Sequence, residues 1–390
     1  MNSLPSLRAA TEHKLLKPAL GAALTVLCGL ALWMLPLGEG WVNASYDYLF
    51  RFGAHSVTDK VVIILMDNTA YDLLHQVRGG PWDRALHTAL LNQLSADGCR
   101  LVVFGTFFSR PGDQAKDEAL AAAMRRQRCI TLMAGLSDMT PHARNVDSVR
   151  PMLPAELFLS AANSNWGVAW CEPDFDSIVR HHWPFPAPGP YDSLPRSAAR
   201  LLGARLGKAP REQWLRYYGQ NGAWTSLSYH LARNQVPNYF RDKIVFIGNK
   251  PETPLPDGEQ DEFRTPYTRW TKEAVGGVEL IATSFLNLMN GDWLRRAPWW
   301  LEALVLVVTG LLLGGGLCQT RPLAASALAA GAGFAVTFGA VALSYFSNYW
   351  FPWLVIAGGQ VPIALACALL ASQVRRRPKP ATEKPRELTV

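Results

Sequence analysis

Residues that could form a ligand site follow the first strongly apolar run of the central part of the sequence. Asp67 ends the run VVIILMD, and Trp82, Arg84 and His87 come soon after it. A carboxylate at the carboxyl end of a buried parallel strand lies at the edge where open α/β sheets bind ligands. An indole ring and a guanidinium group can together hold an anionic or aromatic molecule. The pattern therefore predicts a ligand site that includes these four residues.

Each of these residues also has a structural interpretation that the sequence leaves open. Asp67 would cap the turn that follows it, as aspartate often does where a helix starts. Trp82 and Arg84 would form a buried ring with an arginine stem packed on it. His87 stands one helical turn after Asp83 and would form a pair with it on the surface.

A second group of acidic residues lies in the segment EPDFDSIVR. Asp174 and Asp176 are close enough in the chain to bind a hard cation together, with further oxygen ligands from Asp257 and Asp261. The D-x-D-x-[DN]-G pattern of a calcium loop is absent, so the spacing favours a turn closed by hydrogen bonds from the aspartates to nearby backbone. The sequence therefore predicts no metal site.

Motifs of catalytic and cofactor-binding sites are absent from the sequence. It contains no G-x-S-x-G, G-x-x-x-x-G-K-[ST], H-E-x-x-H or C-x-x-C, and it predicts neither an enzyme nor a bound cofactor. Of the six cysteines, Cys99, Cys129 and Cys171 lie outside the apolar runs near the chain ends. Three thiols in an oxidising compartment permit at most one disulfide bond, and a Cys99–Cys129 pair and free buried thiols are both consistent with the sequence.

The elements that must position these residues alternate between strands and helices. Residues 61–67, 101–104 and 130–135 are short apolar runs, typical of strands buried on both faces of a sheet. Residues 85–96 and 113–127 have the apolar spacing of helices. Such repeats imply parallel pairing with helices on the faces. The expected fold class is mixed α/β, a partly parallel sheet flanked by helices.

The later half of the central segment follows this pattern less closely. Residues 167–171 and 178–183 flank the DFDS turn and are expected to form a hairpin. Residues 278–289 are expected to form a helix that ends shortly before the next apolar run. Because the connection is short, Val278, Glu279 and Leu280 would lie on a helix mechanically coupled to a membrane span.

Four apolar runs predict a membrane protein. Each is long enough, at about 1.5 Å per residue, to cross a hydrocarbon core of about 30 Å, and the first exceeds the apolar core of a signal peptide. The expected division is a cytoplasmic N-terminus (1–18), the first span (19–37), an extracytoplasmic domain (38–297), three further spans (298–318, 323–345 and 353–371) and a basic cytoplasmic tail (372–390).

Basic residues near the spans predict the orientation, because lysine and arginine are retained on the cytoplasmic side. The basic residues before the first span, Arg321 and residues 375–377 fall on one side, whereas Arg295 and Arg296 fall on the other. We therefore expect a multi-pass protein of the inner (plasma) membrane, with both termini cytoplasmic and the large domain outside. Part of the net charge of +7 lies in these flanks, which favours a membrane surface over nucleic acid as a partner.

The order of several short motifs resembles the type-2 CHASE domain, an extracellular sensory module of bacterial receptors. The motifs are GPWDR with His87, EPDFDSIVR, KIVFIG, GVELIA and GDWL. Three spans after the domain are the usual architecture of that family. The resemblance implies that Asp174, Asp176 and Arg180 are its acidic turn and the arginine that follows, and these three residues are further candidates for ligand binding. Gly105 stands where the family commonly has an acid, which argues against a site built on two strand-end carboxylates.

The resemblance implies a membrane-anchored sensor that binds a ligand or partner and signals through its spans to a cytoplasmic effector not encoded in this chain. A small-molecule or peptide ligand, the membrane and a second copy of the chain are the expected partners. The alternative is a structural or scaffold subunit of a membrane complex. A receptor is expected to have a pocket with converging polar groups near Asp67 and Trp82, whereas a scaffold would have those groups satisfied internally.

Overall fold

The computed structural model describes residues 4–52, 54–78, 80–136, 150–183, 191–207, 213–219, 222–250 and 261–376. The chain divides into two units. The chain up to Leu49 and from Arg296 onward forms one, called the helical unit, and Phe50–Arg295 forms the other, called the α/β unit.

The helices, in chain order, are α1 (Leu4–Met34), α2 (Glu39–Asp47), α3 (Leu49–Phe52), α4 (Asn68–Leu73), α5 (Arg84–Asp97), α6 (Gln114–Gln127), α7 (Glu156–Ala161), α8 (Leu194–Leu201), α9 (Tyr229–Ala232), α10 (Thr268–Thr271), α11 (Gly277–Asn290), α12 (Trp299–Leu317), α13 (Pro322–Ser347) and α14 (Val361–Arg376). The strands are β1 (Val61–Met66), β2 (Leu101–Phe104), β3 (Ile130–Leu136), β4 (Pro151–Met152), β5 (Trp166–Val168), β6 (His181–His182), β7 (Gln213–Trp214), β8 (Thr225–Ser228), β9 (Ile244–Asn249), β10 (Glu262–Phe263), β11 (Val275–Gly276), β12 (Arg295–Arg296) and β13 (Tyr349–Trp350). A π-helical turn, Val355–Gln360, precedes α14.

Four helices of the helical unit are long and apolar enough to cross a membrane, as the sequence predicted. They are α1 through its part Leu16–Met34, α12, α13, and the continuous segment Val355–Gln373. Each runs for at least 19 residues, which gives about 28 Å of helix at 1.5 Å per residue. This length matches the apolar thickness of a bilayer.

The helical unit is held together by close backbone contact and by buried polar side chains. A Cβ atom at Gly314 would lie 2.3 Å from the carbonyl oxygen of Gly21, so α12 approaches α1 at a distance that only glycine permits. Gln360, in the π-helical turn, is fully buried. It donates from Nε2 to the carbonyl oxygen of Leu306 at 2.7 Å and accepts from Thr309 Oγ1 at 2.6 Å. These bonds tie the last span to α12 without leaving a polar group unpaired.

Glu302, the acidic residue of the second apolar run, is buried and paired. Arg296 donates from Nε and Nη2 to its two carboxylate oxygens, each at 2.9 Å, and Trp33 Nε1 donates at 2.8 Å. A bidentate arginine–carboxylate pair of this kind is strong and specific in geometry.

The α/β unit is built on a seven-stranded sheet with the order β4-β3-β2-β9-β1-β8, in which β5 also pairs with β3. All pairings are parallel except that of β4 with the end of β3. Every residue of β1 is buried, because helices cover both faces of the sheet and the run VVIILM can be apolar throughout.

Two hydrophobic cores lie on opposite faces of this sheet. Val62, Ile64 and Met66 point into a core formed with α5, α6, α7 and α9. Val61, Ile63 and Leu65 point the other way, into a core formed with α8 and α11. The alternation follows from the two-residue repeat of a strand. Helix α11 therefore packs directly on the central strands.

The first half of the unit follows the sequence-based expectation closely. The predicted helix 85–96 is α5, whose side-chain cap is Asp83 and whose end is Gly98 at a positive φ of 77°. The predicted strands 101–104 and 130–135 are β2 and β3. The mixed α/β fold class is thereby confirmed.

The hairpin expected from 167–171 and 178–183 is wrong. Gly167 lies in β5, which pairs in parallel with β3 of the main sheet, and His181–His182 form β6, which pairs with β7. A Cβ atom at Gly167 would lie 2.5 Å from Leu194 Cα, so this position adjoins the start of α8 instead of a hairpin partner. Strands of two or three residues are too short to show a repeat in the sequence.

Candidate functional site

Asp67 lies at the carboxyl end of β1, as predicted, and it is the cap of α4. Its Oδ1 accepts a hydrogen bond from the Ala70 amide at 2.9 Å and another from Ser228 Oγ at 2.7 Å. Ser228 Oγ also lies 2.6 Å from His230 Nδ1. The capping interpretation is therefore realised, and binding of a ligand by Asp67 stays a prediction.

The Asp67–Ser228–His230 chain is a feature that reasoning from the sequence missed. In a serine-hydrolase triad the histidine stands between the serine and the acid, so that the acid orients the base. Here the serine stands in the middle, and Asp67 takes no part in orienting the histidine. Ser228 is 161 positions from Asp67, and nothing in the motif TSLSYH points to the contact.

Trp82 lies in a buried aromatic cluster on the α5 face of the sheet. Its ring is 4.9 Å from those of Tyr71 and Tyr229, in edge-to-face arrangements at 84° and 65°, and it stacks on His87 at 6.2 Å. The indole is 4% exposed, and its Nε1 has no hydrogen-bond partner in the described part of the chain. The ring thus packs in the core, and its polar atom is left unpaired.

His87 is buried within the same cluster and does not form the surface pair with Asp83 that the sequence allowed. Its Nδ1 lies 2.8 Å from Tyr229 Oη. Burial, with a smaller effect of the Arg84 charge, lowers the pKa of His87 to about 3, although Asp83 opposes the shift. The imidazole is therefore neutral at physiological pH, and it is a hydrogen-bonding core residue.

Arg84 packs beside this cluster on two further rings. Its guanidinium carbon lies 4.8 Å from the Phe108 ring centre and 5.6 Å from that of Phe158, and its Nε is 3.4 Å from Asp117 Oδ1. Burial lowers the pKa of Arg84, and the charge of Asp117 opposes this. The structure thus brings Trp82, Arg84 and His87 together, with their main contacts inside the domain.

The acidic turn is closed by a fully buried arginine. Arg180 Nη1 donates to Asp174 Oδ2 at 2.5 Å and to Asp176 Oδ1 at 2.9 Å, while its Nη2 donates to Asp176 Oδ2 at 2.8 Å. Asp176 Oδ1 also lies 3.3 Å from the Ile178 amide, as in the predicted turn. Burial alone would raise the pKa of Asp176, but hydrogen bonds and charge from Arg180 outweigh it and lower the pKa.

The cation site considered for this turn is not assembled in the described residues. Asp261 is bound to Asn249 Nδ2 at 3.3 Å, and burial raises the pKa of its carboxyl group. Asp257 lies outside the described residues. No group of three or more candidate metal ligands occurs among the residues that the structure describes. Arg180 supplies the positive charge that a cation would have supplied.

Helix α11 packs on β9 and β1 of the main sheet and has the predicted coupling residues in its first turn. Val278 packs on Gly248 at the carboxyl end of β9, where a Cβ atom would lie only 2.7 Å from the valine Cβ. Further along, the Phe285 and Phe246 ring centres are 5.3 Å apart. Because β9 runs from Ile244 to Asn249, α11 is antiparallel to it and leads from the carboxyl edge to the amino edge.

Glu279, in the first turn of α11, borders a cavity of about 10 Å³ lined also by Tyr217, Tyr267 and Thr283. Burial raises the pKa of Glu279 to about 7, and the charge of Lys250 opposes the shift. Leu280, which follows, is buried in the interior. The first turn of α11 thus contains a carboxyl group whose charge changes near neutral pH.

The glycine after the second strand and the three cysteines of the central segment also have defined places in the α/β unit. At Gly105 a Cβ atom would lie 3.2 Å from the Ile247 carbonyl oxygen and 3.8 Å from Ile281, so little room remains for the acid that the family commonly has there.

Cys99, Cys129 and Cys171 are free thiols, and burial raises the pKa of both Cys99 and Cys171 to about 12.

Comparison with curated proteins finds no match, and comparison with solved structures finds none either. The family model described as the CHASE2 domain matches residues 22–317, which is more than half of the chain. This model spans the complete α/β unit and reaches into the helical unit on either side. CHASE2 is a sensory extracellular domain. The chain, with its parallel α/β sheet and its membrane-length helices, therefore belongs to the CHASE2 domain family.

Proposed function

We propose that this protein is a membrane-anchored sensor: its α/β unit receives a ligand outside the cytoplasm, and helix α11 passes the change to the second span. Family membership supports the sensory role, and four membrane-length helices support the anchoring. The observation that carries the proposal is the path of α11. The helix touches the carboxyl edge of the sheet at one end and leads to the chain that leaves the α/β unit at the other.

The contacts of α11 make it suitable for transmitting a displacement. It has 14 residues, about 21 Å at 1.5 Å per residue, and most of them are buried. At its carboxyl end, Asn287 Oδ1 accepts from the Arg216 amide at 2.7 Å, and its Nδ2 donates to the Arg216 carbonyl oxygen at 3.0 Å. Because contacts hold α11 at both ends, we expect a displacement at one end to move the whole helix, as in the helix shifts of other switching proteins.

The proposed sensor has the orientation expected from the sequence, with the α/β unit outside and both termini in the cytoplasm. The basic residues before the first span, Arg321 and residues 375–377 support it, whereas Arg295 and Arg296 disagree. Cysteine-reactive reagents that do not cross membranes test it. A cysteine introduced at exposed Glu172 is expected to react in intact cells, and one at exposed Gln319 only after the membrane is opened.

Sensing itself is tested by ligand-dependent stabilisation of the full chain in mild detergent. A compound that binds the folded state raises the melting temperature, by an amount that grows with its concentration over Kd. We expect at least one member of a broad library of metabolites to do so. If none shifts the melting temperature, the scaffold alternative is favoured, in agreement with the internal pairing of Asp67 and His87.

A further inference from the structure

A cavity of about 580 Å³ lies beside the start of β5, away from the residues that the sequence singled out. This volume is within the range of roughly 300–1,000 Å³ typical of small-molecule sites. The cavity is bounded by the residues before and at the start of β5, by the segment that leads into α8, and by one side of α8. Its lining residues are Ser164, Asn165, Trp166, Tyr191, Asp192, Ser197, Arg200 and Leu201.

Several polar side chains of the cavity have no partner among the described residues. Ser197 is 7% exposed, and its hydroxyl group makes no hydrogen bond within the described part of the chain. The same holds there for the side-chain amide of Asn165 and the hydroxyl group of Tyr191. Asn165 and Tyr191 are half-buried, so their polar atoms keep access to the cavity. Unpaired groups that converge on a cavity are what a bound polar molecule would satisfy.

Two aromatic rings form an apolar part of the same cavity. The centres of the Trp166 and Tyr191 rings are 5.8 Å apart and their planes meet at 41°. Neither ring is fully buried, so each keeps part of its surface open. Such rings offer flat apolar faces next to a polar atom at the ring edge. A ligand that fits must therefore present apolar C–H faces as well as hydrogen-bonding groups.

The charges around the cavity are nearly balanced. Asp192 accepts from Arg196 Nε at 3.1 Å and also forms an ion pair with Arg200, so its carboxylate is already neutralised. The Arg200 side chain is 63% exposed and keeps guanidinium hydrogens free to donate. Because the charges of the lining residues nearly cancel, a strongly anionic or cationic ligand is not favoured.

We propose that this cavity binds a saccharide and is the ligand site of the sensory domain. Sugars combine apolar C–H faces, which pack on aromatic rings, with hydroxyl groups that both donate and accept. Serine, asparagine and tyrosine side chains have that same dual capacity.

The proposal deepens the proposed function, on which it rests, because α8 connects the cavity to α11. Ser197, Arg200 and Leu201 of α8 line the cavity. Ala198, on the other side of α8, is in the same hydrophobic core as Phe285 of α11, and the two helices pack on each other. A ligand that shifts α8 would therefore displace α11.

The test is a titration of the full chain in mild detergent with glucose, maltose and galacturonic acid, followed by calorimetry and by tryptophan fluorescence. We expect at least one sugar to bind and to change the fluorescence. The Trp166→Leu variant is expected to weaken binding about tenfold or more, which corresponds to about 1.4 kcal/mol. The control is Trp170→Leu, a tryptophan of the same region that is 41% exposed and does not line the cavity.

Milder variants keep the test decisive if Trp166→Leu does not fold. Tyr191→Phe and Ser197→Ala remove one hydroxyl group each and are expected to weaken binding three- to tenfold, with Ser160→Ala as the matched control. Failure of all three sugars to bind the wild-type chain overturns the saccharide site while leaving the sensor proposal standing. Sugar binding that Trp166→Leu and Tyr191→Phe do not weaken also overturns it. Binding at the cavity without any change in α11 would instead contradict the proposed function.

Discussion

The carboxyl edge of the sheet and the cavity beside β5 contain similar residue types, but most of their polar side chains differ in hydrogen bonding. The exceptions are Trp82 Nε1, which has no partner in the described residues, and Asp192, which is paired with Arg196. At the edge, Asp67 accepts two hydrogen bonds and His87 is paired with Tyr229. Around the cavity, the side chains of Asn165, Tyr191 and Ser197 have no partners in the described residues. Residue type thus identifies candidates, whereas the state of pairing indicates which of them are free for a ligand.

The largest loss of stability is expected when the arginine of the acidic turn is replaced. Arg180→Met leaves Asp174 and Asp176 without their buried partner, and removal of one member of a buried ion pair costs about 3–5 kcal/mol. Chemical unfolding of the full chain in detergent measures the loss. Arg180→Lys, which keeps the charge but loses the bidentate geometry, is the control and should lose less. Equal stability of Arg180→Met and the wild type would show that this turn is not paired in solution.

A pH effect is expected from Glu279. Its pKa is raised to about 7 in the folded chain and is about 4.3 when unfolded, so folding is favoured by its protonation. This contribution is complete below about pH 4.3 and is lost as the pH rises through about 7. Relative to Glu279→Gln, the wild-type free energy of unfolding should fall over that range, by no more than about 4 kcal/mol. Parallel pH profiles for the two proteins would contradict the burial of this carboxyl group.

A smaller loss is expected at the edge of the sheet. Asp67→Ala removes the cap of α4 and the acceptor for Ser228, and loss of a cap costs about 1 kcal/mol. Asp67→Asn keeps a capping oxygen and should lose less than half as much. Thermal unfolding of the full chain distinguishes the two. If both variants are as stable as the wild type but no longer bind a ligand that the wild type binds, Asp67 belongs to a binding site.

The smallest effect on stability is expected at the cavity. Ser197→Ala removes a hydroxyl group that has no partner in the described residues, so the free energy of unfolding should change by less than about 0.5 kcal/mol. The same is expected of Tyr191→Phe. Chemical unfolding without ligand is the measurement. A loss above about 1 kcal/mol in either variant would show that the hydroxyl group is satisfied within the protein.

The sequence predicts the central sheet and the spans well because long apolar runs carry their own periodicity. VVIILM is buried at every position in β1, and the helix predicted over 85–96 is observed as α5. The hairpin failed because β5 and β6 are too short to show a repeat, and their partners lie far along the chain. Contacts between distant residues decide such pairings.

The hydrogen-bond partners of the candidate site residues could not be predicted either, because they too lie far away in the chain. Asp67 meets Ser228 and His87 meets Tyr229 across more than 140 positions, so no local motif reveals that they are paired. Arg180 is different, since it stands four residues after Asp176 and the motif suggested an acidic turn followed by an arginine. The cavity depends on β5, the segment before α8 and α8 itself, and no spacing in the sequence brings these together.

The most direct test of signalling through α11 is hydrogen exchange of the full chain in lipid nanodiscs, with and without a sugar that binds. We predict slower exchange in α8 and, at the same ligand concentrations, a change in α11 and in the first turns of α12. Protection confined to α8, with α11 and α12 unchanged at saturation, would contradict the claim that α11 carries the signal to the membrane.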